Sequence, residues 1–171
     1  MGHLIALLQT SVSRCISPSE AALITIGRVE AGTQRNILAG SAKLEGIIRT
    51  FSGEVFSQLE TLIQNDLHGI EAAFGVQTEF VKHLCIPCVN NDSLEFGRVK
   101  HLLEDRFLDT KPKRTAEDFA FYALNVPGVF AFCGCMDENH RSPLHADTFD
   151  FDEEALVPGL ALFIRLAADS I

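Results

Sequence analysis

His145 stands in the run PLHADTFDFDEEAL, between an apolar stretch and an acidic helix start, with Asp147 and Asp150 beside it. Neutral imidazole is the commonest zinc ligand. A loop histidine is also often only solvated, and nothing upstream settles the choice: no HxxxH or HExxH pattern, no HxD pair and no glutamate doublet precedes it. If His145 is a ligand, this chain alone holds part of a site. Arg49 is a second candidate. Alternation along Ala42 to Thr50 puts Ala42, Leu44, Gly46 and Ile48 on one face and Lys43, Glu45, Ile47 and Arg49 on the other. Where helices cover one face of a sheet, the other stays open, and a guanidinium there can grip a carboxylate with two parallel hydrogen bonds or simply be solvated. Asn36 ends a glycine-bearing loop, where an amide reaches a ligand or braces the turn. Glu117 and Asp118 open a helix; they are carboxylates able to do chemistry or to satisfy the helix N-terminus.

The five cysteines make a weaker case. Cys85-Ile-Pro-Cys88 and Cys133-Gly-Cys135 imitate redox or zinc pairs. The first pair lies in a strand-like run, whose alternation points its two thiols to opposite faces, so small buried hydrophobes are the plainer reading. A cysteine zinc module would need both pairs to converge. An odd count with no signal peptide points to reduced thiols.

These residues sit in an ordinary globular composition. Of 171 residues 47% are hydrophobic and 22% charged, and 14 Lys+Arg against 23 Asp+Glu give a formal charge of -9. Such a surface repels phosphate, which argues against nucleic acid as a partner. The N-terminal apolar run LIALL is too short for a signal peptide core, and no stretch is long enough to span a bilayer. The expectation is a cytoplasmic protein with no membrane contact.

Periodicity predicts the elements that position the candidates. Residues 3–15 read as a helix, Ala21 to Glu30 and Ser41 to Thr50 as an antiparallel hairpin, Gly53 to Phe74 as a long helix stopped by Gly75, and Gln77 to Cys88 as a further strand. That order, α-β-β-α-β, is a β-α-β-β-α-β ferredoxin-like unit lacking its first strand. Beyond Val89 a helix capped at Asp92 runs to about Phe107, residues 111–114 form a loop, Ala116 to Leu124 a short helix and Val129 to Cys133 a buried strand. A polar loop follows over Cys135 to Thr148, in which Asp137, Glu138 and His140 look like filler. The last helix opens at Asp152-Glu153-Glu154; Pro158 is expected to kink it, and its nearly all-round apolar surface predicts burial.

Three segments, TIGRVEAGTQRNILAGSAKLEGIIRTF, TAEDFAFYALNVPGVFAF and PLHADTFDFDEEALVPG, carry a resemblance in order and spacing. Together they resemble the zinc amidohydrolases of the aminoacylase and carboxypeptidase G type, in the branch of hippurate hydrolase, indole-acetyl-amino-acid hydrolase and N-acetyldiaminopimelate deacetylase. The resemblance runs from about residue 4 to the C-terminus. It implies a fragment of a two-domain enzyme of α/β (α+β) class. Residues 1–88 would be an incomplete ferredoxin-like lid and dimerisation domain, and 89–171 the C-terminal part of the catalytic domain. It implies a divalent metal centre of two ions, usually zinc, with manganese or cobalt as alternatives. It also implies a homodimer through the lid and a small N-acyl amino acid or peptide substrate whose amide bond a metal-activated water cleaves. Carried over by residue, His145 matches the last metal ligand, Asn36 and Arg49 the lid residues that hold the substrate carboxylate, and Glu117 and Asp118 a motif lining the site. No catalytic residue falls in this chain.

The chain departs from the family in three places. NILA stands for the usual NVIP, Asp147 for the proline two residues after the histidine, and Cys133-Gly-Cys135 for Leu-Gly-small. None removes a named side chain. The isolated chain is expected to be inactive, since one histidine cannot hold a catalytic zinc. The competing reading is a non-catalytic dimerisation or binding module from a truncated gene.

Overall fold

The computed structural model describes residues 1–113 and 115–169. Arg114, at the end of the loop expected over 111–114, lies outside the described residues. The chain divides into two bodies, Met1–Cys88 with Lys113–Ala116, and Val89–Pro112 with Glu117–Ile171.

The first body is built as α1 (Gly2–Cys15), β1 (Ala22–Ala31), β2 (Ala42–Thr50) and α2 (Gly53–Phe74). Helix α2 starts where the Ser52 hydroxyl accepts the N–H groups of Glu54 and Val55, and stops where Gly75 turns left-handed at φ 63°. Its buried stripe, Val55, Leu59, Ile63, Leu67 and Ile70, repeats at helical spacing and packs with Leu8, Ile16 and Ile24 into one core. Leu59 is fully buried. Polar ties lock the layers: Ser11 Oγ donates to Asp66 Oδ2 at 2.7 Å, Gln9 Nε2 to the Ile24 carbonyl at 3.1 Å, and Gln58 Nε2 to the Cys15 carbonyl at 3.0 Å.

β1 and β2 pair antiparallel, with Ile24 opposite Ile48 and Leu23 opposite Arg49. The register slips between Ile26 and Arg28, so Gly27 is the extra residue of a bulge. A Cβ on Gly46 would collide with the Thr25 carbonyl oxygen, so this crossing admits only glycine without adjustment. Ile48 packs on the core, while Ile47 and Arg49 are exposed. This is the alternation expected of β2.

The strand expected over 77–88 does not form; the sheet has two strands among the described residues. A strand needs a ladder partner for its backbone, and this segment is held by side chains instead. The Thr78 N–H and hydroxyl both bond Glu71 Oε1, at 2.7 and 2.8 Å, Lys82 Nζ pairs with Glu60 at 2.7 Å, and Phe80 packs against the core. The body therefore shows the inner four elements of the β-α-β-β-α-β unit, within a mixed α/β fold.

The second body contains α3 (Ser93–Leu103) with a following 3-10 turn at Glu104–Arg106, α4 (Phe119–Ala123), a 3-10 turn at Glu153–Ala155 and α5 (Leu156–Asp169). Asp92 caps α3 by accepting from Leu94 and Glu95 N–H, as its spacing predicts. Arg98 ties α3 to α5 through Asp169 at 2.7 Å and the Leu166 carbonyl at 2.8 Å.

Two expectations are overturned here. Val129 to Cys133 is not a strand. The side-chain amide of Asn91 stands in for a neighbour, donating to the Phe130 carbonyl at 3.0 Å and accepting its N–H at 2.8 Å. Nor is α5 buried. Its half-buried residues are Gly159, Ala161, Leu162 and Leu166, most of them along one stripe, whereas Leu156, Val157, Leu160, Phe163 and Ile164 are exposed. One packed neighbour covers one stripe of an all-apolar helix, not two. Pro158 falls in the first turn of α5, where its missing N–H has no intrahelical role.

Candidate functional site

His145 lies at the tip of the 135–148 loop and is exposed. Its φ of 70° is left-handed, which histidine adopts more readily than most residues but still at a cost. The loop closes around it: the Ala146 N–H bonds the Pro143 carbonyl at 3.1 Å and the Phe149 N–H bonds the Ala146 carbonyl at 3.0 Å. A left-handed third residue inside the first of these is the pattern of a type II turn. Ser142 Oγ and Thr148 Oγ1, 3.1 Å apart, pin the base of the loop.

Two residues set aside as filler turn out to be partners. The Asp137 carboxylate accepts the N–H groups of Asn139 and His140 at 2.6 and 2.8 Å, and its other oxygen meets His140 Nδ1 at 2.8 Å. The His140 contact holds the Asp137 carboxyl below its usual range. The Asp137 contact in turn raises the His140 imidazole, and the charges of Asp150 and Asp152 add to it. The D-E-N-H spacing of an aspartate-capped turn was the available signal.

Arg49 is exposed on β2, on the face opposite Ile48. Asn36 is exposed in the turn that joins the strands, next to the Ile37 N–H to Gln34 carbonyl bond. Asn36 lies in the hairpin loop and Arg49 toward the opposite end of β2. Ala42 is at the loop end of β2 and Arg49 near the other end, seven residues of strand or roughly 23 Å away. Glu117 and Asp118 precede α4. Asp118 takes the N-cap position, but its side chain makes no cap hydrogen bond. Asn36 and Arg49 belong to the first body, and Glu117, Asp118 and His145 to the second.

Among the described residues no three His, Cys, Asp or Glu side chains come together as a metal site. The five thiols are free, with Cys15, Cys85 and Cys133 exposed. No helix among the described residues is long and apolar enough to cross a membrane.

No family model matches the chain. Individual proteins do. It is 37% identical over 166 residues to an N-acetyldiaminopimelate deacetylase of Lacticaseibacillus paracasei, covering 94% of this chain and 43% of that one. With an N-acetylcysteine deacetylase of Bacillus subtilis it is 33% identical over 169 residues, covering 97% and 44%. Among solved structures it superposes on an aminohydrolase from methicillin resistant Staphylococcus aureus with a TM-score of 0.89 at 28% identity, covering 98% of this chain and 45% of that one. A dinuclear metal binding peptidase of the M20 family from Bacillus subtilis gives 0.81 at 30%, covering 97% and 44%. The chain thus spans less than half the length of the proteins that it matches, and over that span it is similar to these deacetylases and to an M20 family peptidase.

Proposed function

We propose that this chain supplies the lid, residues 1–88, and the C-terminal catalytic segment, residues 89–171, of a metal-dependent amidohydrolase that cleaves N-acyl amino acids or small peptides. The observation that carries the reading is a match spanning 94% of this chain with a deacetylase. In this reading Arg49 grips the substrate carboxylate from the open face of β2, and Glu117 and Asp118 line the site. His145 donates one imidazole to a divalent metal: zinc, with manganese or cobalt as alternatives. The described residues do not make a metal site by themselves, because a catalytic zinc needs about three protein ligands. The 171-residue chain alone should therefore show no chelator-sensitive hydrolysis of N-acyl amino acids.

The hairpin geometry adds a constraint. Asn36 sits in the loop at one end of the hairpin and Arg49 near the other end of β2, a separation that favours their coming to one carboxylate from different lids. In that reading Asn36 comes from a second copy, which ties it to a homodimer through the lid.

The test is Arg49→Lys in a complete enzyme carrying this lid, with matched free-acid and amidated substrates. Lysine keeps the charge and loses the two-pronged fork. Free acids should lose about 1.5–3 kcal/mol of binding, the range for hydrogen bonds to charged groups. Amidated substrates should lose little. Equal losses on both would make Arg49 structural.

A further inference from the structure

We propose that Leu23 and Ile47 form an aliphatic seat beside Arg49 that receives the side chain of a bound amino acid, so that this lid favours N-acyl amino acids with apolar side chains. The seat rests on the proposed role of Arg49 as the carboxylate anchor. On the strand pair, Leu23 stands opposite Arg49 and Thr25 opposite Ile47. Directly opposed residues bring their Cβ atoms within about 5.5 Å and diagonal ones within about 8 Å, so these four side chains form one patch. The patch is on the open face: Ala22, Ile24, Ile26 and Ile48, their neighbours in sequence, are the ones turned to the core. Leu23 is half-buried and Ile47 is 48% exposed, and neither belongs to the hydrophobic cluster that holds the lid together.

The bulge at Gly27 confines this patch to one end of the face. Without the extra residue, alternation would turn Arg28 to the core side. With it, Arg28 comes opposite Glu45, on the same face as Ile47 and Arg49, and Glu30 comes opposite Lys43. Arg28 pairs with Glu45 at 3.1 Å and with Glu30, and Lys43 pairs with Glu45. The loop end of the face is therefore two cations matched by two anions. Arg49, which takes no part in those pairs, borders the aliphatic end. Its charge draws a carboxylate, and a guanidinium with five N–H donors accommodates a ligand carboxylate beside another acceptor. In an N-acyl amino acid the carboxylate and the side chain share one carbon. A carboxylate on Arg49 thus brings an aliphatic side chain against Leu23 and Ile47, where both surfaces shed water. An acidic side chain would lose hydration there and gain no donor from either residue. Glu45, the next residue of β2 on this face, would also repel it.

Nuclear magnetic resonance titration of the 171-residue chain with N-acetyl-leucine, N-acetyl-alanine and N-acetyl-aspartate tests the seat. N-acetyl-leucine should shift the Leu23 and Ile47 methyl resonances. It should bind about tenfold more tightly than N-acetyl-alanine, the low end of what a small apolar difference contributes in a hydrophobic pocket. N-acetyl-aspartate should bind most weakly. Ile47→Thr keeps a β-branched strand former and should erase most of the leucine advantage while leaving the alanine affinity in place. Ile47→Leu should keep the advantage. The readout is a ratio between ligands on one preparation, so a partly unfolded variant does not imitate the result. Methyl groups silent up to the solubility limit of N-acetyl-leucine, or a leucine preference that survives both Ile47→Thr and Leu23→Thr, would overturn the seat. The anchor fails separately. If N-acetyl-leucine amide binds as tightly as the free acid and the Ile47 methyls respond to both, the aliphatic seat stands and Arg49 is not the carboxylate anchor.

Discussion

His145 holds φ 70°, a conformation that costs an L-residue about 1–2 kcal/mol and costs glycine nothing. His145→Gly should therefore be as stable as the parent or more stable by up to about 1 kcal/mol, since the flexibility gained by the unfolded chain offsets part of the relief. His145→Val should lose about 1–2 kcal/mol at the same position, where a β-branched side chain crowds the left-handed backbone. Urea denaturation of the two variants decides it, and equal losses would remove the strain. The type of His145 was legible in the sequence as a candidate donor. Its conformation was not, because the turn arises from hydrogen bonds between Pro143, Ala146 and Phe149 that no residue type dictates.

Single contacts govern the elements. At Gly46 a methyl group would strike the Thr25 carbonyl across the hairpin, whereas a Cβ on Gly27 meets nothing within 4 Å. Gly46→Ala should cost about 1–3 kcal/mol, the range for overpacking, and Gly27→Ala far less. Thermal denaturation of both variants tests the register, and the reverse order would refute the bulge at Gly27. The strap over 77–88 carries a pH dependence. The Thr78 hydroxyl, and then its N–H, hold the Glu71 carboxyl below its usual range. A depressed carboxylate stabilises above its unfolded value, about 4.3, and that contribution is lost as pH falls through the lower folded value. The Thr78 amide resonance should therefore move in acid with the Glu71 titration, and Glu71→Gln should abolish the movement. The segment read as a strand because its apolar residues are dense. Density specifies burial, while a strand also requires a partner ladder.

Across the molecule, one cluster of exposed apolar side chains lies on α5. Phe163 is 72% exposed and Ile164 60%, with Leu156, Val157 and Leu160 nearby. Burying one such side chain is worth about 1.5–3 kcal/mol. The chain should therefore self-associate with rising concentration, and Phe163→Ser with Ile164→Ser should weaken the association. Sedimentation velocity over a wide concentration range measures it, and identical behaviour of parent and variant would show that this face is not the adhesive one. The lid hairpin offers a second possible route through its unpaired edge. The paired substitutions on α5 distinguish the two.

Local information was enough for the elements that carry their own boundaries. The 53–74 helix is written in an apolar stripe of period 3.6 and a terminal glycine. The hairpin is written in two runs flanking a glycine-bearing loop. The exposed face of Arg49 follows from alternation alone, because the period of a strand is a property of the backbone. Tertiary structure decided what depends on neighbours. Residues 77–88 and 129–133 are apolar like strands, yet hydrogen bonds from Glu71 and Asn91 satisfy backbone groups that a ladder would otherwise take. Helix α5 is composed as a core helix but has one packed stripe. Asn36 and Arg49 share a motif, but lie toward opposite ends of one hairpin. Asp137 and His140 looked like solvated loop residues until folding closed a turn between them. A sequence states what each segment can bury or bond; which groups it meets is set by distances that only the folded chain possesses.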